Sequence, residues 1–284
     1  MKLDIKDCYE SIPLAGLIRK YEDDMILAPQ CLNLLKQIQC NLEQENIFGL
    51  PRGLSISPTL SELYLEGLDK IIASHPDILY SARYVDDIII HCPKYKSNNV
   101  KDFVIEEMKK LELKHNTDSK KYYLNDTESA EFDYLGYAIR ARILQKKGQR
   151  VANEVQLSIA KSKLDKIKSK IMVSLCEYKG DGDFSLLKRR LQYLSMLKEA
   201  KGGVNGDLLA GIAYNYQYVT DEFACLKPLD GFLHTQIRNS RFGLLVEQIS
   251  ELSRLSFYGI ARKRNIGNFS RKKVLKITQA WRNV

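Results

Sequence analysis

Two acidic positions stand where a fold usually keeps acids out. Asp4 closes the apolar stretch Leu3-Asp4-Ile5 and opens the run Asp4-Ile5-Lys6-Asp7-Cys8-Tyr9. Asp86 and Asp87 occupy a bend between Leu79-Tyr80 and Ile88-Ile89-Ile90. Adjacent aspartates in a hairpin are ordinarily turn formers. Carboxylates gathered at one place repel each other unless a cation lies between them. A magnesium pair held by Asp4 and Asp86 relieves that repulsion and supplies the two-metal chemistry of phosphoryl transfer. The residues alone leave both readings open.

Positioning such acids needs a rigid frame, and the periodicities predict one. Leu3-Asp4-Ile5 reads as the end of a strand, and Leu79 to Cys92 as two short strands bending at Val85-Asp86. Pro29 to Leu42 has Leu32, Leu35, Ile38 and Leu42 at helical spacing. Ser57-Pro58 reads as a helix start, with a capping side chain and proline in the first turn. Leu60, Leu63, Tyr64, Leu68, Ile71 and Ile72 continue that helix, and Asn99 to Leu113 predicts another. Tyr122 to Leu124 and Phe132 to Ile143 read as strands. The expected class is α+β, a small antiparallel sheet with helices packed on it. From Glu154 onward the chain reads as almost wholly helical, with Leu164, Ile167, Ile171 and Leu175 on one stripe. A polar link at Lys146, Lys147, Gly148 and Arg150 sets the expected border, giving domains 1–145 and 146–284.

Charge changes along the chain as well. Residues 1–139 carry 16 Lys/Arg against 23 Asp/Glu, and residues 140–284 carry 28 against 12, within a total of +9. A strongly basic second half points to a polyanionic partner, although solvated lysine-rich helices produce a similar count. The six cysteines include no CxxC pair and the four histidines are scattered, which argues against a zinc site. Reduced thiols and a cytoplasmic location are expected. No apolar run approaches the roughly 20 residues that span a bilayer, and Asp4, Asp7 and Glu10 interrupt any signal-like stretch.

Asp4-Ile-Lys-Asp-Cys-Tyr9 resembles the first palm motif of reverse transcriptases. Gly49-Leu-Pro-Arg-Gly53 followed by Ser57-Pro58 is similar to the second, and Tyr84-Val-Asp-Asp87 to the family's signature. Leu111-Glu-Leu113 with Asn116 and Lys120-Lys121 looks like the next, and Phe132-Asp-Tyr-Leu-Gly136 like the primer grip. A YxDD alone is a weak signal. Five motifs in the family's order over residues 1–137 are a strong one. The run Lys163 to Arg190 and Gly211 to Tyr216 are similar, less specifically, to bacterial abortive-infection and other defence-associated members. Group II intron and retron enzymes are resembled more distantly.

The resemblance implies a right-hand palm followed by a helical, basic thumb. It implies RNA-directed DNA synthesis with two magnesium ions, deoxynucleoside triphosphates, an RNA template and a DNA primer. Asp4 and Asp86 would hold metal, with Asp87 as an outer ligand or a brace for the turn. Asp7, Cys8, Tyr9, Arg52, Gly53 and Tyr84 would meet substrate, Tyr9 beneath the sugar where it excludes a 2′-hydroxyl. Arg52 departs from the glutamine common at its position. Lys120 or Lys121 would donate a proton to the leaving pyrophosphate, and Tyr134, Leu135 and Gly136 would grip the primer. Thumb clusters such as Lys161 to Lys170 would track a duplex backbone. Tyr193, Tyr214, Tyr216 and Tyr218 serve either as core or as stacking platforms.

Members of the family normally carry fingers upstream, and here only three residues precede Asp4. The expectation is that fingers come from an upstream segment or a partner chain, and that these residues alone polymerise poorly. Two rival functions share the motifs: a template-independent or protein-primed DNA polymerase, and a non-catalytic nucleic-acid-binding subunit built on the same fold.

Overall fold

The computed structural model describes residues 1–25, 27–118, 123–124, 130–146, 149–203 and 206–282. The chain packs as two compact units, Met1–Asp126 and Thr127–Val284. The first contains β1 (Lys2–Lys6), α1 (Cys8–Ser11), α2 (Leu14–Asp23), α3 (Pro29–Gln44) and α4 (Ser57–Ser74). It continues with β2 (Tyr80–Tyr84), β3 (Asp87–His91), α5 (Ser97–Lys110) and β4 (Lys114–His115). Its sheet has the order β2-β3-β1-β4 with antiparallel neighbours throughout. The class is α+β, as the periodicities predict.

Period-two alternation decides which side chains this sheet buries. Leu3, Ile5, Ile88 and Ile90 enter the core, each at most 2% exposed. The core is completed by Leu14, Leu17 and Tyr21 of α2, by Leu60, Leu65, Leu68 and Ile72 of α4, and by Val100, Val104 and Met108 of α5. Lys2, Asp4, Asp87 and Ile89 share the other face, because the register sets Lys2 opposite Ile89 and Asp4 opposite Asp87. Ser57 is not a cap but the first helical residue. Its hydroxyl donates to the Pro51 carbonyl at 2.7 Å and so ties the preceding loop to α4.

The second unit opens with a three-stranded antiparallel sheet: β5 (Glu131–Tyr134), β6 (Tyr137–Lys146) and β7 (Gln149–Ile159). Composition drew its border within this sheet. Charge does change along the chain near this point, but β6 and β7 pair across it and helix begins only at Lys161. Of the polar link, Lys146 pairs with Gln149, and residues 147–148 lie outside the described set.

After it come α6 (Lys161–Asp181), α7 (Phe184–Ser195), β8 (Leu197–Gly203), β9 (Gly206–Ala210), α8 (Ile212–Asn215) and α9 (Lys227–Ile237). The unit ends with α10 (Val246–Ser253), α11 (Phe257–Lys263), β10 (Ile266–Gly267) and α12 (Arg271–Gln279). The expectation of an almost wholly helical second half is corrected by β7 and by the sheet β10-β8-β9. Leu197 to Lys201 has helical composition, yet pairing with β9 and β10 overrides that weak local preference.

Ile171 and Leu175 of the predicted stripe are fully buried, among Leu187, Leu191, Leu233 and Phe257. Two lysines of the same helix turn towards rings: Lys168 lies 5.9 Å from the Phe232 centroid and Lys170 5.6 Å from that of Trp281. Tyr193 and Tyr216 pack against this core, whereas Tyr218 is largely exposed. All six cysteines are free thiols. Among the described residues no helix is long and apolar enough to cross a membrane.

Candidate active site

Asp4 sits in the centre of the sheet at 2% exposure, an unusual setting for a carboxylate. Asn116 holds it twice. The Asn116 amide donates to the Asp4 carbonyl at 2.8 Å, and its side-chain nitrogen to Asp4 Oδ1 at 2.9 Å. The next residue, Ile5, donates its amide to the Asp86 carbonyl at 2.8 Å, which ties the tip of the β2–β3 hairpin to β1. That tip has two residues, Val85 and Asp86, between the paired Tyr84 and Asp87. Val85 adopts φ +57°, in the left-handed region. For a β-branched residue this is a real outlier, costing about 1–2 kcal/mol.

Beyond β1 the chain turns sharply. Asp7 is left-handed (φ 47°, ψ 48°) and leads into the single helical turn of α1. The loop before α4 then closes over this turn. Leu50 donates to the Tyr9 carbonyl at 2.8 Å, and Gly49 lies so near Glu10 that a Cβ there would fall 2.2 Å from its carbonyl oxygen. Glycine is required by that approach. Arg52 forks onto the Glu10 carboxylate and holds it below the usual carboxylate range.

Together these elements enclose a polar pocket of about 280 Å³ lined by Asp4, Ile5, Asp7, Cys8, Tyr9, Arg52, Val85, Asp86 and Asn116. Burial pushes the Cys8 thiol up to about 11, with Ser61 Oγ 3.9 Å from its sulfur, and it raises the Tyr9 phenol as well.

Six of the residues expected at the site therefore share one cavity: Asp4, Asp7, Cys8, Tyr9, Arg52 and Asp86. Asp87 lies apart from that lining and pairs with Lys2 at 3.3 Å. Tyr84 ends β2 largely exposed, and Gly53 is left-handed (φ +88°) in open space. Tyr134, Leu135 and Gly136 belong to the second unit. There Leu135 (φ 50°) and Gly136 (φ 85°) form the two-residue turn between β5 and β6. Lys120, with Lys121, lies outside the described residues. Asn116 belonged to a motif without a role of its own, and the structure makes it the partner of Asp4. Lys2 gave no signal beyond its place two residues before an acid.

The donor set suits a hard cation. Asp4 and Asp86 line a pocket whose lining holds no histidine, and the one thiol there stays protonated. Among the described residues no three His, Cys, Asp or Glu side chains form a closed ligand cluster. A pair of carboxylates with room for phosphate and water matches the way magnesium is usually held.

A family model described as reverse transcriptase (RNA-dependent DNA polymerase) matches residues 1–139. None of the curated proteins compared matches the chain.

Proposed function

Residues 1–139 belong to the reverse transcriptase (RNA-dependent DNA polymerase) family, and on that premise we propose that this chain adds deoxynucleotides to a DNA primer paired with an RNA template. The observation that carries the reading is the convergence of Asp4 and Asp86 on one polar pocket beside Tyr9 and Arg52. Asp4 and Asp86 would hold two magnesium ions. Bound there, the metal supplies Lewis-acid activation of the primer hydroxyl and charge neutralisation at the triphosphate.

The side chains have separable tasks. Asn116 fixes the rotamer of Asp4 through Oδ1. Asp87, paired with Lys2, braces the strand beneath the turn rather than entering the pocket. Tyr9 forms the floor under the sugar and favours deoxynucleotides. Arg52, exposed at the rim, reaches a phosphate by exchanging its Glu10 partner for the ligand. The amides of Asp7 and Cys8 face the same phosphates. The basic second unit tracks the duplex backbone. The biological setting we assign is bacterial antiphage defence, on the likeness of Lys163 to Arg190.

Primer extension on an RNA template, by this chain and by a version extended upstream to include fingers, tests this. Magnesium-dependent incorporation of deoxynucleotides should fall at least about 10³-fold in Asp86→Asn and Asp4→Asn, the several kcal/mol that metal-held charge contributes. Incorporation that persists after nuclease removal of the template would favour template-independent synthesis instead. Wild-type extension that Asp86→Asn leaves intact would refute the site.

A further inference from the structure

Arg83 precedes the acidic turn by two residues, and its side chain is only 4% exposed. All five of its N–H donors are used. Nε and Nη2 donate to the two oxygens of Asp69 at 2.8 and 2.7 Å. Nη1 and Nη2 donate to the two oxygens of Glu62 at 3.0 and 2.8 Å. The fifth donor, from Nη1, goes to the carbonyl of Val85 at 3.0 Å. Glu62 and Asp69 stand seven residues apart on α4, hence on one face two turns apart. The guanidinium is anchored to that helix before it reaches the turn.

Its backbone target is specific. Val85 is the residue whose left-handed φ of +57° a β-branched side chain resists, and Asp86 is the next residue. Glycine would adopt the same conformation without that resistance. A strained conformation persists only where its surroundings overdetermine it. The Ile5–Asp86 amide bond holds one side of the tip, and the Arg83–Val85 bond holds the other.

We propose that Arg83 is a positioning residue for the candidate metal site: by clamping the Val85 carbonyl to α4 it holds the strained turn that sets Asp86 beside Asp4. The inference rests on the polymerase reading above, but it assigns a task to a side chain outside the pocket lining.

Charge and position predict opposite outcomes, so the two can be separated. Removing Arg83 leaves Glu62 and Asp69 uncompensated and makes the surroundings more negative. Through electrostatics alone, that change would tighten binding of a divalent cation. Loss of positioning loosens it.

The measurement is titration of the full chain with Mn2+, free ion being read by electron paramagnetic resonance, with melting temperatures taken on the same samples. Wild type should show a site that Asp86→Asn abolishes. Arg83→Ala should weaken it about tenfold, the low end of what losing an orienting partner costs a metal site. Arg83→Lys keeps the charge but loses the fork, and should weaken it too. It serves as the test should Arg83→Ala not fold. Adding Val85→Gly to either variant should restore most of the affinity without restoring the melting temperature, a rescue that a purely structural role would not give. An Asp86-dependent site with unchanged or tighter affinity in the Arg83 variants overturns the clamp and leaves the polymerase reading standing. A wild type without any Asp86-dependent site overturns both.

Discussion

The same chemical change, glycine to alanine, should move the stability of the first unit in opposite directions at two positions. At Gly49 the new methyl would meet the Glu10 carbonyl oxygen at 2.2 Å, its carbon at 2.5 Å and Cα at 2.7 Å. All three are backbone atoms, so no rotamer change relieves the overlap. Overpacking of this kind costs about 1–3 kcal/mol. The shift that relieves it also breaks the 2.8 Å bond from Leu50 N to Tyr9 O, worth about 1 kcal/mol more. A total near 3 kcal/mol is expected. At Gly67, an exposed position inside α4, a Cβ meets nothing within 4 Å. Alanine there gains about 0.8–1 kcal/mol of helix propensity.

A unit the size of Met1–Asp126 has an unfolding entropy of about 0.26 kcal/mol/K. Gly49→Ala should therefore melt about 11 °C lower, and Gly67→Ala about 3 °C higher. Thermal unfolding followed by far-ultraviolet circular dichroism reads both. A Gly49→Ala protein melting within about 3 °C of wild type would refute the close approach of the loop to α1. With it would fall the account of how Arg52 and Tyr9 come to share a pocket.

Two further predictions rest on burial. Burial, with help from the neighbouring Lys170 charge, pushes the Lys198 amine from its ordinary 10.5 down to about 8, while its Nζ lies 3.7 Å from the Tyr193 ring centroid. The unfolded chain then holds the extra proton between about pH 8 and 10.5, so this group's penalty is full below pH 8 and disappears as pH rises through that window. Lys198→Met should raise stability at pH 7 by about 1–2 kcal/mol, and the wild-type deficit relative to it should shrink towards pH 10; urea midpoints that show a constant or growing deficit would contradict this. Cys8, buried and pushed up to about 11, should alkylate at pH 8 at least about tenfold more slowly than the exposed Cys31, Cys40 and Cys176. Peptide mass spectrometry after a short iodoacetamide pulse would reveal equal rates if the α1 packing were wrong.

Much of the frame was legible because it is local. Helical spacing located α3, α4 and α5 to within a few residues, since an amphipathic stripe needs only its own segment to be recognised. The bend at Val85-Asp86 and the alternation around Asp4 were readable for the same reason. The second half misled where pairing between distant segments overrode local preference. Leu197 to Lys201 has helical composition and becomes a strand only because β9 and β10 lie beside it. The composition change near 150 marked a change in charge, but hydrogen bonding runs through it.

At the site, sequence by itself determined the kinds of groups present: three acids at two strand ends, an aromatic residue five places after Asp4, and a loop bracketed by Gly49 and Gly53. Only the tertiary structure decided their tasks. Strand register set Asp87 opposite Asp4, and Lys2 then drew it into an ion pair, leaving Asp86 to share the pocket with Asp4. Contacts across 112 residues made Asn116 the holder of Asp4. A helix 14 to 21 residues upstream supplied the carboxylates that anchor Arg83 against the turn. Residue types follow from the chain in order, but which of them meet is set by register and close approach, and those exist only once distant segments have packed.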